Sequence, residues 1–339
     1  MRINIFSQSP SEIKAKVLEA FPAFRYRQLM HWLYQKHIFD LDKMSDLPLD
    51  FKTYVMNNFE LSLPQIEISK LASDGSTKHR LILEDGALIE MVLIPDKGNK
   101  LTLCVSSQVG CARACSFCAT GRLGLKRNLQ THEIVGHILL AASSSNERRL
   151  TNIVFMGMGE PLDNLTNVLK ALTIIQAEDT LAFSPRRTTI STCGVVNNII
   201  TLADSGIKCK LAVSLNSAID SIRDQLMPIN RRYPLAALKN ALQYYLSKSK
   251  FRVTFEYILI PEINMGATDL KALKSFVGDL SCKINFIPYN PVPHLTYRKP
   301  DASEIEAFMA SATCLNQAIT LRRSRGGEVC GACGQLAGT

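Results

Sequence analysis

Between residues 100 and 322, short apolar and β-branched runs recur, separated by stretches with apolar residues three and four apart. The strand-like runs cover 101–105, 152–156, 187–191, 210–215, 252–260, 283–288 and 319–322. The intervening stretches read as helices. Residues 131–142 illustrate this, with Thr131 placed to cap and Glu133 in the first turn. Regular strand–helix alternation predicts an α/β chain built on a parallel sheet, open or barrel-like, with its chemistry at the carboxyl ends of the strands. Chemically suggestive residues follow those ends: Gly157 to Glu160, Ser191, Ser214 and Asn290.

The pattern before residue 100 differs. Helical apolar spacing appears in Ile13, Val17, Leu18 and Phe21, and again in Leu29, Trp32 and Leu33, with Pro22, Pro48 and Pro64 as breaks. This predicts a small helical accessory domain in which Trp32 belongs to the core. The stretch Phe24-Arg25-Tyr26-Arg27-Gln28 mixes basic and aromatic side chains, which suits either an RNA-facing surface or an ordinary helix face. From 78 to 94, two apolar runs flank Asp85-Gly86, a hairpin signal. Glu90 lies inside the second run, where a carboxylate either faces solvent on the alternating polar side, the side the pattern slightly favours, or is held for chemistry. The expected segments are a helical domain over 1–72, a hairpin lead-in over 73–100, a barrel over 101–325 and a C-terminal loop over 326–339.

The chain has 339 residues, 46% of them hydrophobic, enough for one large core with a small accessory domain. It contains no apolar run of about 18 residues and no secretory layout at its start, so the expected compartment is the cytoplasm, without membrane association. A reducing compartment turns ten cysteines toward metal ligation or thiol chemistry rather than disulfide scaffolding. Cys193, Cys209, Cys282 and Cys314 are scattered singly and read as small buried hydrophobes. The net charge of +9 favours a polyanionic partner. Residues 1–72 carry 9 basic and 8 acidic side chains, so the excess belongs to the rest of the chain. Arg148-Arg149, Arg186-Arg187, Arg231-Arg232 and Arg322-Arg323-Ser324-Arg325 cluster it locally.

Cys111, Cys115 and Cys118 closely follow a strand and supply three thiolates within eight residues. Three thiolates leave a four-iron cluster with one open metal position, whereas four close it. A zinc site completed by Cys104 or a histidine is the alternative, but zinc motifs usually pair two CxxC knuckles. The CxxxCxxC spacing, with Phe117 before the third cysteine, resembles the radical S-adenosylmethionine superfamily. Gly157-Met-Gly-Glu160-Pro161, one strand later, resembles the turn that holds the methionyl amine there.

A denser resemblance runs over residues 100–338. Cys104-Val-Ser-Ser-Gln-Val-Gly-Cys111, Phe155-Met-Gly-Met-Gly-Glu-Pro-Leu162, Leu226-Met-Pro-Ile-Asn-Arg231, Ile287-Pro-Tyr-Asn290-Pro and Ala332-Cys333-Gly-Gln-Leu-Ala-Gly338 are similar to the RlmN/Cfr family of radical RNA methyltransferases. Phe24-Arg25 and Trp32-Leu33-Tyr34 resemble its accessory domain, so nearly the whole chain is covered.

The resemblance implies a partial (β/α)6 barrel with a small N-terminal helical domain. It further implies a [4Fe-4S] cluster on Cys111, Cys115 and Cys118, two S-adenosylmethionine molecules per turnover, and cofactor contacts from Gly159, Glu160, Ser191, Ser214, Leu215, Asn216 and Asn290. One S-adenosylmethionine methylates Cys333; the second yields a 5'-deoxyadenosyl radical that takes hydrogen from that methyl group. The methylene adds to adenine, Glu90 accepts the proton from the substituted carbon, and Cys104 resolves the adduct as a transient disulfide with Cys333. Cys330, three residues before Cys333, is a competing thiol. Where the family commonly has histidine this chain has Asn216, which hydrogen-bonds but does not titrate, and this predicts a structural contact there.

The implied partners are 23S ribosomal RNA, transfer RNA and an electron donor such as flavodoxin or ferredoxin, with the enzyme a monomer. The stretch Cys282-Lys-Ile-Asn-Phe-Ile-Pro-Tyr-Asn-Pro-Val-Pro293 and the chain's end resemble RlmN-like members, which methylate C2 of adenosine 2503 and of transfer RNA adenosine 37. Cfr-like C8 methylation, with its antibiotic resistance, is the alternative. A non-catalytic RNA-binding protein accounts for the charge but not for the thiolates, the GxGE turn and the terminal CxxC together. A radical enzyme acting on a small molecule or protein leaves the basic excess unexplained.

Overall fold

The structure, a computed structural model, describes residues 2–144 and 148–338, so the two terminal residues of the chain lie outside it. Ten strands form one sheet: β1 Gln65–Leu71, β2 Thr77–Ile82, β3 Leu88–Asp96, β4 Lys100–Cys104, β5 Arg149–Phe155, β6 Thr188–Thr192, β7 Lys210–Ser214, β8 Val253–Leu259, β9 Cys282–Pro288 and β10 Ala318–Leu321. They are ordered in space as in sequence, and the two edges do not pair. From β4 to β10 every neighbouring pair is parallel, while β1 to β4 pair antiparallel.

The seven parallel strands are the seven runs read from the sequence. Six crossovers join them, carrying helices Thr131–Ser144, Leu165–Gln176, Val196–Asp204, Leu235–Lys248, Ala267–Val277 and Ala302–Ser311. This is the partial (β/α)6 barrel, with a seventh strand after the sixth unit. The helices carry apolar stripes that need a sheet to cover. Leu165–Gln176 buries Leu165, Val168, Leu172 and Ile175 on one face, each such side chain contributing about 1.5–3 kcal/mol.

The hairpin expected around Asp85-Gly86 forms between β2 and β3, with Gly86 at φ 78 as the turn demands. It joins the main sheet instead of standing apart, because β3 pairs with β4. β1 lies within the stretch expected to be helical. Its alternating Gln65, Glu67 and Ser69 suit an exposed edge, and it hydrogen-bonds to β2 while staying exposed along its length.

Three helices, Pro10–Leu18, Ala23–Tyr34 and Leu49–Asn58, make up the N-terminal region. Ser9 and Glu12 form a capping box that starts the first. Ile13, Val17, Leu29, Trp32 and Leu33 are buried, but Leu18 is exposed. Tyr26 is buried too and donates to Asp179 Oδ2 at 2.8 Å, so it faces the sheet domain rather than RNA. Phe24 and Arg27 remain exposed. Among the described residues no helix is long and apolar enough to cross a membrane.

One buried group makes stability depend on pH. His137, fully buried on the helix Thr131–Ser144, shares a 2.6 Å hydrogen bond through Nδ1 with the Glu133 carbonyl, and its Nε2 has no partner. Burial lowers its pKa from 6.5 to about 4. The unfolded chain therefore takes up a proton below pH 6.5 that the folded chain refuses, and stability falls as pH drops from there toward 4. Between pH 7 and 5 the expected loss is about 2 kcal/mol. Urea denaturation of His137→Asn across that interval should show a loss smaller by that amount; identical losses in both proteins would contradict it.

Candidate active site

The cysteine motif is held by its surroundings before any ligand is considered. Gln108–Cys111 pairs antiparallel with Gly124–Asn128, bringing Cys111 opposite Gly124. A Cβ on Gly110 would lie 1.9 Å from the Gly124 carbonyl oxygen, so only glycine permits this pairing. Arg113 forms an ion pair with Asp163, tying the motif to the turn after β5. Ser116 N donates to the Leu226 carbonyl at 2.9 Å.

That turn is equally constrained. Gly157 N donates to the Val105 carbonyl, and a Cβ on Gly157 would approach that oxygen to 2.6 Å. Gly159 sits at φ 101, and its missing Cβ would lie 2.6 Å from Gln108 Cβ. Gln108 uses the space to accept from Glu160 N at 2.8 Å and to donate to Asn128 at 2.7 Å. Gly159→Ala should thus cost about 1–3 kcal/mol through strain alone. A urea midpoint unchanged from the parent would show that the turn relaxes freely.

Glu160 is buried and accepts from Cys193 N at 2.7 Å and Leu162 N at 3.0 Å. Burial raises its pKa, opposed by those N–H donors. Burial also drives the thiols upward, Cys111 to about 12, Cys118 above its ordinary value and Cys115 well above it. Binding a metal group through them must therefore release protons.

The three thiols, Gly159, Glu160, Ser191, Ser214, Asn216 and Cys333 line one cavity of about 140 Å³. Among the described residues no three His, Cys, Asp or Glu side chains gather closely enough for a single metal ion. An iron–sulfur cluster does not need such convergence, because each thiolate binds a different iron. Three thiols on one wall, Cys111 buried and Cys115 and Cys118 partly so, beside a glycine turn and a carboxylate, fit a cluster with one open iron.

Cys333 also borders a second cavity, of about 220 Å³, shared with Cys104, Thr102, Met156, Arg322, Arg323 and Arg325. Burial first, and the neighbouring Cys333 next, raise Cys104 to about 12, while Arg322 opposes them. All ten cysteines are free thiols, so the expected Cys104–Cys333 disulfide is not formed in this state. Cys330 is exposed and lines neither cavity, unlike Cys104.

The C-terminal segment is pinned across the mouth of the sheet. Gly334 accepts from Ala119 N at 2.7 Å, Leu336 accepts from Thr120 Oγ1 at 2.5 Å, and Asn290 donates to the Cys333 carbonyl at 3.2 Å. Asn290 thus holds the tail and does not line the cavity of the three thiols, nor does Leu215, which is fully buried. Asn216 occupies the left-handed region at φ 57; its side chain accepts from Ile258 N at 2.9 Å and donates to Met227 Sδ at 3.2 Å. Both polar atoms of its amide are thus engaged within the fold, while Asn216 also lines the cavity.

Glu90 is fully buried, not on the solvent side, and pairs with buried Lys78 at 2.8 Å. Its other oxygen accepts from Ala337 N at 3.0 Å, and it lines neither cavity. Two further residues escaped the sequence reading. Glu256 lines the cluster cavity with one carboxylate oxygen held by Asn285 at 3.0 Å and the other buried without a partner. Arg223, fully buried, donates to the Cys193 and Leu215 carbonyls and to Asn230. A carboxylate between Phe255 and Tyr257 of an apolar strand was the available signal for the first; nothing in the sequence marked the second.

Comparison with known proteins agrees with this arrangement. The Radical SAM superfamily matches residues 105–271, and the ribosomal RNA large subunit methyltransferase N-terminal domain matches 17–61. The dual-specificity RNA methyltransferase RlmN of Desulfotalea psychrophila is 42% identical over 93% of this chain and 89% of its own length. That of Campylobacter jejuni strain 81-176 is 40% identical over 98% of this chain and 97% of its own. A crystal structure of a radical SAM methyltransferase from Sphaerobacter thermophilus superposes with a TM-score of 0.94 at 36% identity, covering 99% of this chain and all of that one. With both family models matched and relatives 40–42% identical along nearly the whole chain, the chain belongs to the RlmN family of the radical SAM superfamily.

Proposed function

We propose that this chain methylates C2 of an adenine in RNA, at adenosine 2503 of 23S ribosomal RNA and adenosine 37 of transfer RNAs. The observation that carries this reading is the position of Cys333 on the wall between two cavities, the cysteine trio lining one and Cys104 with three arginines the other. A methyl carrier needs that placement, since it must meet a hydrogen acceptor on one side and a base on the other.

Cys111, Cys115 and Cys118 would hold a [4Fe-4S] cluster, which with S-adenosylmethionine would supply one-electron cleavage of the sulfonium. Gly159 leaves room for the methionyl part beside Glu160, whose carboxyl accepts from an ammonium; Ser191 and Ser214 offer hydroxyls on the same cavity wall. The Cys333 sulfur takes a methyl group by displacement from a first S-adenosylmethionine, carries it, gives up one of its hydrogens and bonds through the methylene to the adenine carbon. Once the adduct radical has given up its unpaired electron, which the cluster would take back, and the proton on the substituted carbon, Cys104 attacks the Cys333 sulfur. The carbon–sulfur electron pair goes to the methylene, which takes up a proton to become the methyl group, and a Cys104–Cys333 disulfide forms. Arg322 beside Cys104 favours the thiolate this attack requires. Glu90 takes the proton from the substituted carbon once the Ala337 N–H leaves its carboxylate.

The same reading makes residues 1–72 an accessory domain with RNA contact, 101–325 the catalytic barrel and 326–339 the methyl-carrying loop, in a cytoplasmic monomer reduced by flavodoxin or ferredoxin. The test is anaerobic reconstitution with iron and sulfide, incubation with unmodified RNA and S-adenosylmethionine, and mass spectrometry of the digested nucleosides. 2-Methyladenosine is the expected product. 8-Methyladenosine would move the assignment to the other carbon, and a ribose or exocyclic methyl would remove the radical mechanism.

A further inference from the structure

One cavity, with no cysteine in its wall among the described residues, lies at the seam between the N-terminal helices and the sheet. It measures about 640 Å³, and its wall includes Tyr34 and His37 from the helical side and Arg148, Arg149 and Arg187 from the sheet side. The seam is held by hydrogen bonds, Tyr26 to Asp179 and Gln35 Nε2 to the Thr180 carbonyl at 2.8 Å each. Arg148-Arg149 and Arg186-Arg187 are separate clusters in the sequence; folding brings their members to one cavity because both precede adjacent parallel strands.

Among the described residues the wall is cationic: it contains no aspartate or glutamate, and none of its three arginines has a carboxylate partner. The Tyr34 hydroxyl and His37 Nδ1 are buried there with no hydrogen-bond partner, although buried polar groups are normally satisfied. Guanidinium groups are planar donors suited to phosphate oxygens, often bidentately. The cations continue along the same strand ends, where Lys210 is crowded by Lys283 and Arg186. A tract of that length suits a phosphodiester chain better than one free anion.

We infer that this seam is a second RNA contact, binding backbone phosphates of the substrate at a distance from the methylated base. The inference rests on the RNA methyltransferase reading. Arg149 begins β5, and the glycine turn of the active site follows that strand's far end. Seven residues of strand separate the two by roughly 23 Å. The phosphates reaching the seam therefore belong to RNA well outside the loop that carries the target adenosine.

The experiment compares the full chain with Arg148→Ala/Arg149→Ala/Arg187→Ala and with the corresponding triple Lys variant. Binding is measured by fluorescence anisotropy against potassium chloride concentration, using whole transfer RNA and a short stem-loop bearing only the target adenosine. For whole transfer RNA, the salt-dependence slope of the Ala variant should shrink by about 2, with binding weakened about tenfold near physiological salt. The Lys variant should keep the parent slope, and the stem-loop should bind all three proteins alike. An unchanged slope with whole transfer RNA would overturn the inference. So would equal losses for the stem-loop, which would put these arginines at the active-site mouth. Calorimetry with inorganic tripolyphosphate adds a third arm: tight binding lost in the Ala variant, with the RNA slope unmoved, would give the site to a free phosphate compound and also overturn it. Methylation of the short stem-loop by the parent protein is scored separately, so failure of the chemistry is distinguishable from failure of the seam.

Discussion

Cys333→Ala should abolish RNA methylation, lowering turnover at least about a thousandfold, because a covalent carrier removed from a group of residues acting as a unit has no substitute. Cys333 contributes a single sulfur at the wall between the two cavities, and alanine there leaves the fold intact, since the tail is held through backbone atoms of Cys333, Gly334 and Leu336. Iron content and S-adenosylmethionine binding of the reconstituted variant should therefore match the parent. Cys104→Ala provides the contrast. It should pass through methyl transfer to the base and stop there, accumulating a protein–RNA adduct visible as a shifted band on a denaturing gel. If Cys333→Ala retains even a few per cent of parent turnover, the methyl group travels by another route. If Cys104→Ala forms no adduct while Cys330→Ala does, the neighbouring thiol of the terminal pair is the resolving group.

The second large effect concerns stability. Lys78 and Glu90 form a 2.8 Å ion pair with side chains 5% and 0% exposed. Lys78→Met keeps the apolar stem and deletes the charge, leaving the Glu90 carboxylate buried with only the Ala337 N–H on its far oxygen. Breaking a buried pair from one side costs about 3–5 kcal/mol, far more than the pair contributes relative to a well-packed apolar replacement. The double variant Lys78→Met/Glu90→Gln should recover much of that loss, since an amide tolerates burial better than an orphaned charge. Urea denaturation of the single and double variants measures the coupling. Additive losses would mean that the two residues do not depend on one another. Because Glu90 also reaches the tail that carries Cys333, the single variant should loosen that segment, which limited proteolysis near residue 330 would register.

The contrast between Glu90 and Glu256 shows what a strand pattern conveys. Both sit inside apolar runs, and alternation offers two faces without saying that both are covered. Alternation slightly favours solvent for Glu90, but β3 is an interior strand of the sheet, with β2 on one side, β4 on the other and the C-terminal segment above it. Glu256 passed unnoticed in the sequence, although its neighbours on β7 and β9, Ser214 and Asn285, are polar too. A barrel with a polar interior breaks the simple rule that an apolar run hides only apolar partners. Tyr26 errs in the opposite direction: an aromatic residue among arginines resembles an RNA surface until the helix is seen to dock against the loop holding Asp179.

From the sequence alone came the order and type of the elements, since apolar periodicity is local and the seven strands and their crossover helices each carry their own pattern. So did the cysteine spacing, the glycine–glutamate turn and the terminal cysteine, because short-range chemistry is written contiguously. Only the tertiary structure decided that Cys333, more than two hundred residues from the trio, forms the partition between two cavities; that Arg148, Arg149 and Arg187 meet a histidine at one seam; and that Glu90 is buried against a lysine. These are facts of chain return. Which distant residues become neighbours depends on the free energy of covering a whole sheet at once, a sum over many weak terms that no local window contains.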